Sequence, residues 1–299
     1  MPELPEVETI VRRLAPRLRG RTVVRADVRR ANVVRGTPQR FERAVTGARI
    51  ESVSRRGKFL VFRLADGRVW WSHLRMTGQW RVERERGRTR PGAHSRGGRV
   101  RESRRTDVAQ RPDDPYVRAV FELDDGSTLS FVDVRTLGEM EIVSARQWTR
   151  REAAMGLEPL SPEFTPQALA ERLAASRRPV KEFLLDQTRI AGLGNIYAVE
   201  ALWRAGISPR RRARSVGVRR AVRLHRAIVD VLRQAVEKAG TSLGETSQDY
   251  VDSEGVPGSF QEFLDVYDRE GEPCRRCRTP IRRIVQGQRS TYYCPGCQR

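Results

Sequence analysis

Residues 274–297 read CRRCRTPIRRIVQGQRSTYYCPGC. Two Cys-x-x-Cys pairs, Cys274/Cys277 and Cys294/Cys297, flank a segment of 16 residues. Four thiolates on two tight knuckles suit a tetrahedral zinc ion, and a site closed by four protein ligands keeps no open position, so its role is structural. The intervening residues predict a hairpin with Gln286-Gly287 at its turn and Arg289 close by, as a surface residue or a phosphate ligand. These four are all the cysteines of the 299-residue chain. Their clustering at one end argues for metal binding in a reducing compartment, and so for a cytoplasmic protein, rather than for a disulfide framework.

Working outward, the chain is strongly basic, with 58 Lys and Arg against 37 Asp and Glu and a formal net charge of +21. Such a field attracts polyanions, and with aromatic residues interleaved among the arginines, nucleic acid leads as partner. Lysine occurs only at Lys58, Lys181 and Lys238. Amines that can act as nucleophiles are therefore scarce, because arginine keeps its charge and grips phosphate instead. No apolar run is long enough to span a membrane, and the N-terminus lacks the apolar core of a secretion signal. Nothing in the sequence suggests a self-complementary surface, so a monomer is expected.

The length allows more than one core. Leu4, Val7, Ile10, Val11, Leu14 and Leu18 recur at helical spacing over residues 3–19, and Gly20 stops the pattern. Short β-branched runs follow, with Asp66-Gly67 and Asp125-Gly126 as hairpin turns. Residues 81–112 are nearly devoid of apolar side chains and read as a disordered basic insertion. After the Pro-rich linker near 156–166, helices are expected at about 166–176, 179–187, 195–205 and 218–239, the last two ended by Gly206 and Gly240.

Three segments carry further chemistry. Gly192 and Gly194 stand before a helix that begins at Asn195, which suits either close approach of a phosphate or an ordinary Asn-capped turn. His73 and Met76 lie near one strand end and Arg135 near another. The N-terminal MPELPEVE reads as a helix start, with prolines early and acids in the first turn. On the residues alone the helix start is the preferred reading; the alternative is a reactive end, in which loss of Met1 would leave Pro2 as a secondary amine, partly unprotonated at neutral pH, with Glu3 and Glu6 beside it.

PELPEVE, RRGKFL, SHLRMTG, DVRTLG, LLDQTRIAGLGNIYAVEALWRAGISP and the terminal GEPCRRC and QRSTYYCPGCQ, in this order, resemble the formamidopyrimidine-DNA glycosylase family. The resemblance implies an α+β multidomain fold. Residues 1–155 would form a catalytic β-sandwich with an N-terminal helix. Residues 156–265 would form a helix–two-turn–helix DNA-binding domain with a lesion-recognition loop near 241–260, and residues 266–299 a zinc finger holding one structural Zn2+. It implies excision of 8-oxoguanine and formamidopyrimidines from duplex DNA, followed by β,δ-elimination at the abasic site. By position, Pro2 matches the nucleophile, Glu3 the general acid/base, Glu6 a supporting carboxylate and Lys58 a catalytic phosphate-binding lysine. Asn195 and Arg289 match phosphate ligands, and His73 a residue near them. Met76, Arg135 and Leu137 match the side chains that fill the space left by an extruded base; Leu137 stands where the family usually has phenylalanine. Two other readings compete: an endonuclease VIII-like enzyme for oxidised pyrimidines, and a catalytically silent zinc-ribbon DNA-binding protein.

Overall fold

The computed structural model describes residues 2–83, 114–242 and 250–299. Helix α1 (Leu4–Leu18) is followed by β1 (Val23–Val28), α2 (Pro38–Val45), β2 (Ile50–Arg56), β3 (Phe59–Leu64), β4 (Val69–His73) and β5 (Gly78–Glu83). Next come β6 (Val117–Leu123), β7 (Thr128–Asp133), β8 (Glu139–Val143) and α3 (Ala145–Ala153). Four helices follow, α4 (Pro166–Ala174), α5 (Val180–Leu185), α6 (Asn195–Ala205) and α7 (Gly217–Glu237), and then the hairpin of β9 (Arg282–Gln286) and β10 (Arg289–Tyr293).

Two four-stranded antiparallel sheets, ordered β1-β6-β7-β5 and β2-β3-β4-β8, face each other in a sandwich. Phe62 and Trp70 from one sheet meet Trp80, Phe121 and Phe131 from the other, all fully buried. Both Asp-Gly turns are where the sequence predicts them, with Gly67 and Gly126 at positive φ. Helices α2 and α3 are additions to the expected helix-plus-sheet pattern. Each starts on a local signal, Thr37 before Pro38 in one case and a Ser144–Gln147 capping box in the other. Arg81–Glu83 belong to strand β5, paired with β7, which corrects the reading of 81–112 as disordered throughout: Val82 turns into the core. The rest of that insertion lies outside the described residues.

Helix α1 belongs to two cores. Val7, Ile10, Leu14 and Leu18 pack into the sandwich, whereas Leu4 packs into the helical core built from α4 to α7. The β2–β3 turn is tied to the linker by Glu158, which accepts hydrogen bonds from Arg55 (2.6 Å), Arg56 (3.2 Å) and the Gly57 N–H (2.9 Å). The turn that carries Lys58 is thereby fixed against the helical half.

In the terminal hairpin the two turn residues are Gly287 and Gln288, one position later than the sequence reading placed them. Both have positive φ, as a tight primed turn requires. The four cysteine sulfurs lie within 4.8 Å of one another. Tetrahedral Zn–S bonds of about 2.3 Å put sulfurs about 3.8 Å apart, and Cys274 and Cys297 are 3.8 Å apart. The set therefore fits a structural zinc ion. Arg276, on the first knuckle, stacks over Trp203 at 3.9 Å and donates to the carbonyls of Trp203 and Arg204. Gln298 donates to the Ile207 carbonyl (2.9 Å). The zinc knuckles thus cap the C-terminal end of α6. Chelation of zinc should release that cap and shift the fluorescence of Trp203, with a loss of hairpin protection in hydrogen exchange. Unaltered exchange after verified zinc removal would contradict this coupling.

Candidate active site

The N-terminal segment lies in a slot made by three glycines. Leu4 donates its N–H to the Gly192 carbonyl (3.0 Å). A Cβ on Gly192 would sit 2.9 Å from the Leu4 side chain, one on Gly194 2.2 Å from the Glu3 carboxyl carbon, and one on Gly240 2.8 Å from the Glu6 side chain. The sequence offers the glycines before α6 as room for a phosphate or as a capped turn. In the structure the approaching group is the chain's own Glu3, whose Oε1 accepts the Ile196 N–H (3.0 Å) in the first turn of α6. A helix N-terminus favours a negative charge by about 0.3–1 kcal/mol or more, which partly offsets the cost of burying the carboxylate.

Glu6 completes the lock. Its side chain accepts the Glu3 N–H (2.7 Å), the Thr241 N–H (2.8 Å) and the Tyr197 hydroxyl. Tyr197 is fully buried, and burial, with Glu6 beside it, holds its phenol well above the ordinary range, so it stays a donor. Tyr250 donates to the Glu6 carbonyl (3.2 Å). Burial raises Glu3 above the usual carboxylate range, while Lys58 pulls the other way. Burial lowers Lys58, opposed by Glu3 and Glu6 and assisted by Arg289. The pair is thus an acid and an amine each pushed towards its neutral form, the direction that general acid–base chemistry uses. Pro2 is buried directly before Glu3; Met1 lies outside the described residues.

The structure brings Pro2, Glu3, Glu6, Lys58 and Asn195 to one place, with Arg289 near enough for its charge to act on Lys58. Asn195 donates to the Ser290 carbonyl (3.0 Å) and keeps its Oδ1 buried without a partner. Arg289 is exposed on the first residue of β10. Lys181, noted in the sequence only as one of three lysines, lies beneath the hairpin and donates to Thr291 Oγ1 (2.6 Å). Burial and the Arg289 charge lower it to about 8. His73 is buried at the end of β4; burial, then Arg75 and Lys58, hold it at about 3, so it is neutral at pH 7. Its Nδ1 accepts the Arg75 N–H (3.0 Å), which leaves Nε2 as the donor.

Met76 and Leu137, 39% and 51% exposed, project with exposed Arg135 from two neighbouring loops. Their common anchor is Asp133, a fully buried carboxylate that the sequence reading passed over. It accepts the Thr77 hydroxyl (2.5 Å), the Arg135 N–H (3.2 Å) and the Gly138 N–H (2.7 Å). Gly78 and Gly138 each admit Phe131, with a Cβ at either position meeting its ring at 2.9 and 2.4 Å. The TG and LG of the two motifs are therefore packing requirements for the loops that present Met76, Arg135 and Leu137.

The slot predicts a specific coupling. Gly194→Ala should cost about 1–3 kcal/mol in urea unfolding by overpacking. In a Glu3→Gly background most of that cost should vanish, because the nearest obstructing atoms all belong to Glu3. Additive costs would show that Gly194 answers to something other than this carboxylate.

Residues 1–140 match the family model of the formamidopyrimidine-DNA glycosylase N-terminal domain. Residues 155–247 match that of the formamidopyrimidine-DNA glycosylase H2TH domain, and residues 271–299 the zinc finger found in FPG and IleRS. A formamidopyrimidine-DNA glycosylase of Geobacillus kaustophilus is 42% identical, with all of both chains aligned. One of Chloroflexus aggregans is 42% identical over all of this chain and 98% of its own. Among solved structures, the MutM (Fpg) protein of Thermus thermophilus superposes with a TM-score of 0.81 at 40% identity, over 99% of this chain and 98% of that one. Lactococcus lactis Fpg in complex with an abasic site containing DNA superposes with a TM-score of 0.83 at 31% identity, over 99% of each chain. No described helix is long and apolar enough to cross a membrane. With all three family models matched in order and relatives of this identity aligned from end to end, the chain belongs to the formamidopyrimidine-DNA glycosylase family.

Proposed function

We propose that this protein is a bifunctional DNA glycosylase and abasic-site lyase of base excision repair that acts on oxidised purines in duplex DNA. In this reading residues 1–155 carry the reacting groups, residues 156–265 and the finger at 266–299 grip the phosphodiester backbone, and DNA lies between. The observation that supports it most is the buried cluster of Glu3 and Lys58 beside Pro2, seated against the first turn of α6.

The chemistry follows from those groups. The Pro2 nitrogen, free once Met1 is removed, adds to C1′ of the damaged nucleoside. The C1′–N bond breaks, the base departs with a proton, and the sugar ring opens as O4′ takes a proton from Glu3. The product is an iminium ion between Pro2 and C1′, an electron sink that acidifies C2′. Loss of a C2′ proton and of the 3′-phosphate is β-elimination. Repetition at the 5′-phosphate is δ-elimination, after which water releases Pro2. Lys58, Asn195 and Arg289 hold the phosphates at the lesion, with neutral His73 as a donor beside them. C1′ is out of reach in a stacked duplex, so the nucleotide must be extruded; Met76, Arg135 and Leu137 fill the gap. The zinc ion keeps the hairpin in place and takes no part in the reaction.

Borohydride tests this directly. Mixed with a duplex containing 8-oxoguanine, the protein should be trapped as a covalent adduct through Pro2. Pro2→Gly should yield far less, and Glu3→Gln should slow base release by about 10²-fold or more, in the range of general acid–base catalysis. A duplex with thymine glycol should give less adduct than 8-oxoguanine; the reverse order would favour the oxidised-pyrimidine reading. No adduct with any lesion would leave a DNA-binding protein without this chemistry.

A further inference from the structure

Between Glu200 and Asp230 the chain has no acidic residue and nine arginines. Two of them find acids outside the stretch, Arg204 with Asp265 and Arg226 with Asp230. The other seven, among them exposed Arg210, Arg212, Arg214, Arg219 and Arg223, form no ion pair among the described residues. On the N-terminal half acids are interspersed and pair with some of the exposed arginines, Arg12, Arg25, Arg29 and Arg35 among them, whereas residues 201–229 contain no acid at all. Leaving adjacent like charges uncompensated costs repulsion, and a field of this kind suits a polyanion.

The patch is continuous with the cleft. Gln286, just before the hairpin turn that leads to Arg289, donates to the Pro209 carbonyl (3.2 Å). The Val180 N–H at the start of α5 donates to the Arg211 carbonyl (2.7 Å), and Pro179 bridges Arg212. The arginine segment thus begins beside the hairpin and leads into α7. The C-terminal end of α7 reaches the loop where Gly240 touches Glu6. Its 21 residues span about 31 Å at about 1.5 Å per residue, so its first turns lie far from the reacting groups.

We propose that the segment from Arg214 to Arg223 is an outlying phosphate-binding ridge that holds the backbone of the same duplex beyond the lesion site. This rests on the proposed function, which places DNA at Lys58 and Arg289. At about 3.4 Å per base pair, a lesion at the centre of a duplex of about 12 base pairs leaves about 20 Å on each side, too short to reach the ridge. A duplex of about 40 base pairs reaches it.

The test is the triple variant R214Q/R219Q/R223Q, with binding measured against salt on undamaged duplexes of both lengths. On the long duplex the slope of log K against log salt should fall by about one to three, at about 0.9 per phosphate lost. On the short duplex the slope, and single-turnover cleavage of an 8-oxoguanine site, should equal wild type. An unchanged slope on the long duplex would make the arginines a solvated surface and overturn the proposal. An equal fall on both lengths would place them inside the cleft and overturn it too. So would loss, in the variant, of a wild-type ability to bring two separate labelled duplexes together, since the ridge would then serve a second DNA molecule. Wild type that cleaves no lesion would instead count against the proposed function, while the slopes would still judge the ridge.

Discussion

The carboxylate of Glu3 is buried against the first turn of α6, 193 residues away in sequence, and accepts its Ile196 N–H. Transfer of a carboxylate from water costs several kcal/mol. A charge-assisted hydrogen bond returns about 1.5–3 kcal/mol, and the helix dipole and the Lys58 charge add to it. The arrangement holds only because Gly192, Gly194 and Gly240 leave room for the segment and because Leu4 is sunk in the helical core while the rest of α1 belongs to the sandwich. The first residues of the chain are therefore a pin between two cores. A residue at position 2 is held rigidly where a terminus would ordinarily fray.

Around this pin the structure repeats one device, a buried carboxylate that gathers backbone N–H groups and so fixes a loop. Glu6 ties α1 to Thr241 and Tyr197. Asp133 ties together the two loops that present Met76, Arg135 and Leu137. Glu200, inside α6, accepts the N–H groups of Asp265, Val266 and Tyr267 and so joins the helix to the chain entering the zinc finger. Each satisfied carboxylate is costly to disturb, because loss of its partners leaves a buried charge. Preorganisation of the site therefore resides largely in residues that touch no substrate.

Much of this was legible in the sequence where the signal is local. The periodicity of α1, the Asp-Gly turns and the cysteine spacing each report a short stretch of chain, and each is present in the structure. Helices α2 and α3 are short segments among strands, whose capping residues were the available signal. Strand β5 runs three residues into a charged stretch because β7 pairs with it, a tertiary effect no local composition reports. Gly192 and Gly194 were legible as places of close approach, but the group that approaches lies at the other end of the sequence. Lys181 and Asp133 were missed for the same reason: their partners, Thr291 and the Thr77 loop, are 110 and 56 residues away.

The proposed reaction requires the nitrogen of Pro2 to be free, so the direct measurement is the N-terminal mass of the protein set beside its rate of strand cleavage. Activity should scale with the fraction of molecules that have lost Met1, and a preparation engineered to retain that methionine should be inert at abasic sites. Undiminished cleavage by chains that still carry Met1 would mean that another amine forms the intermediate, and the pinned terminus would then be architecture alone.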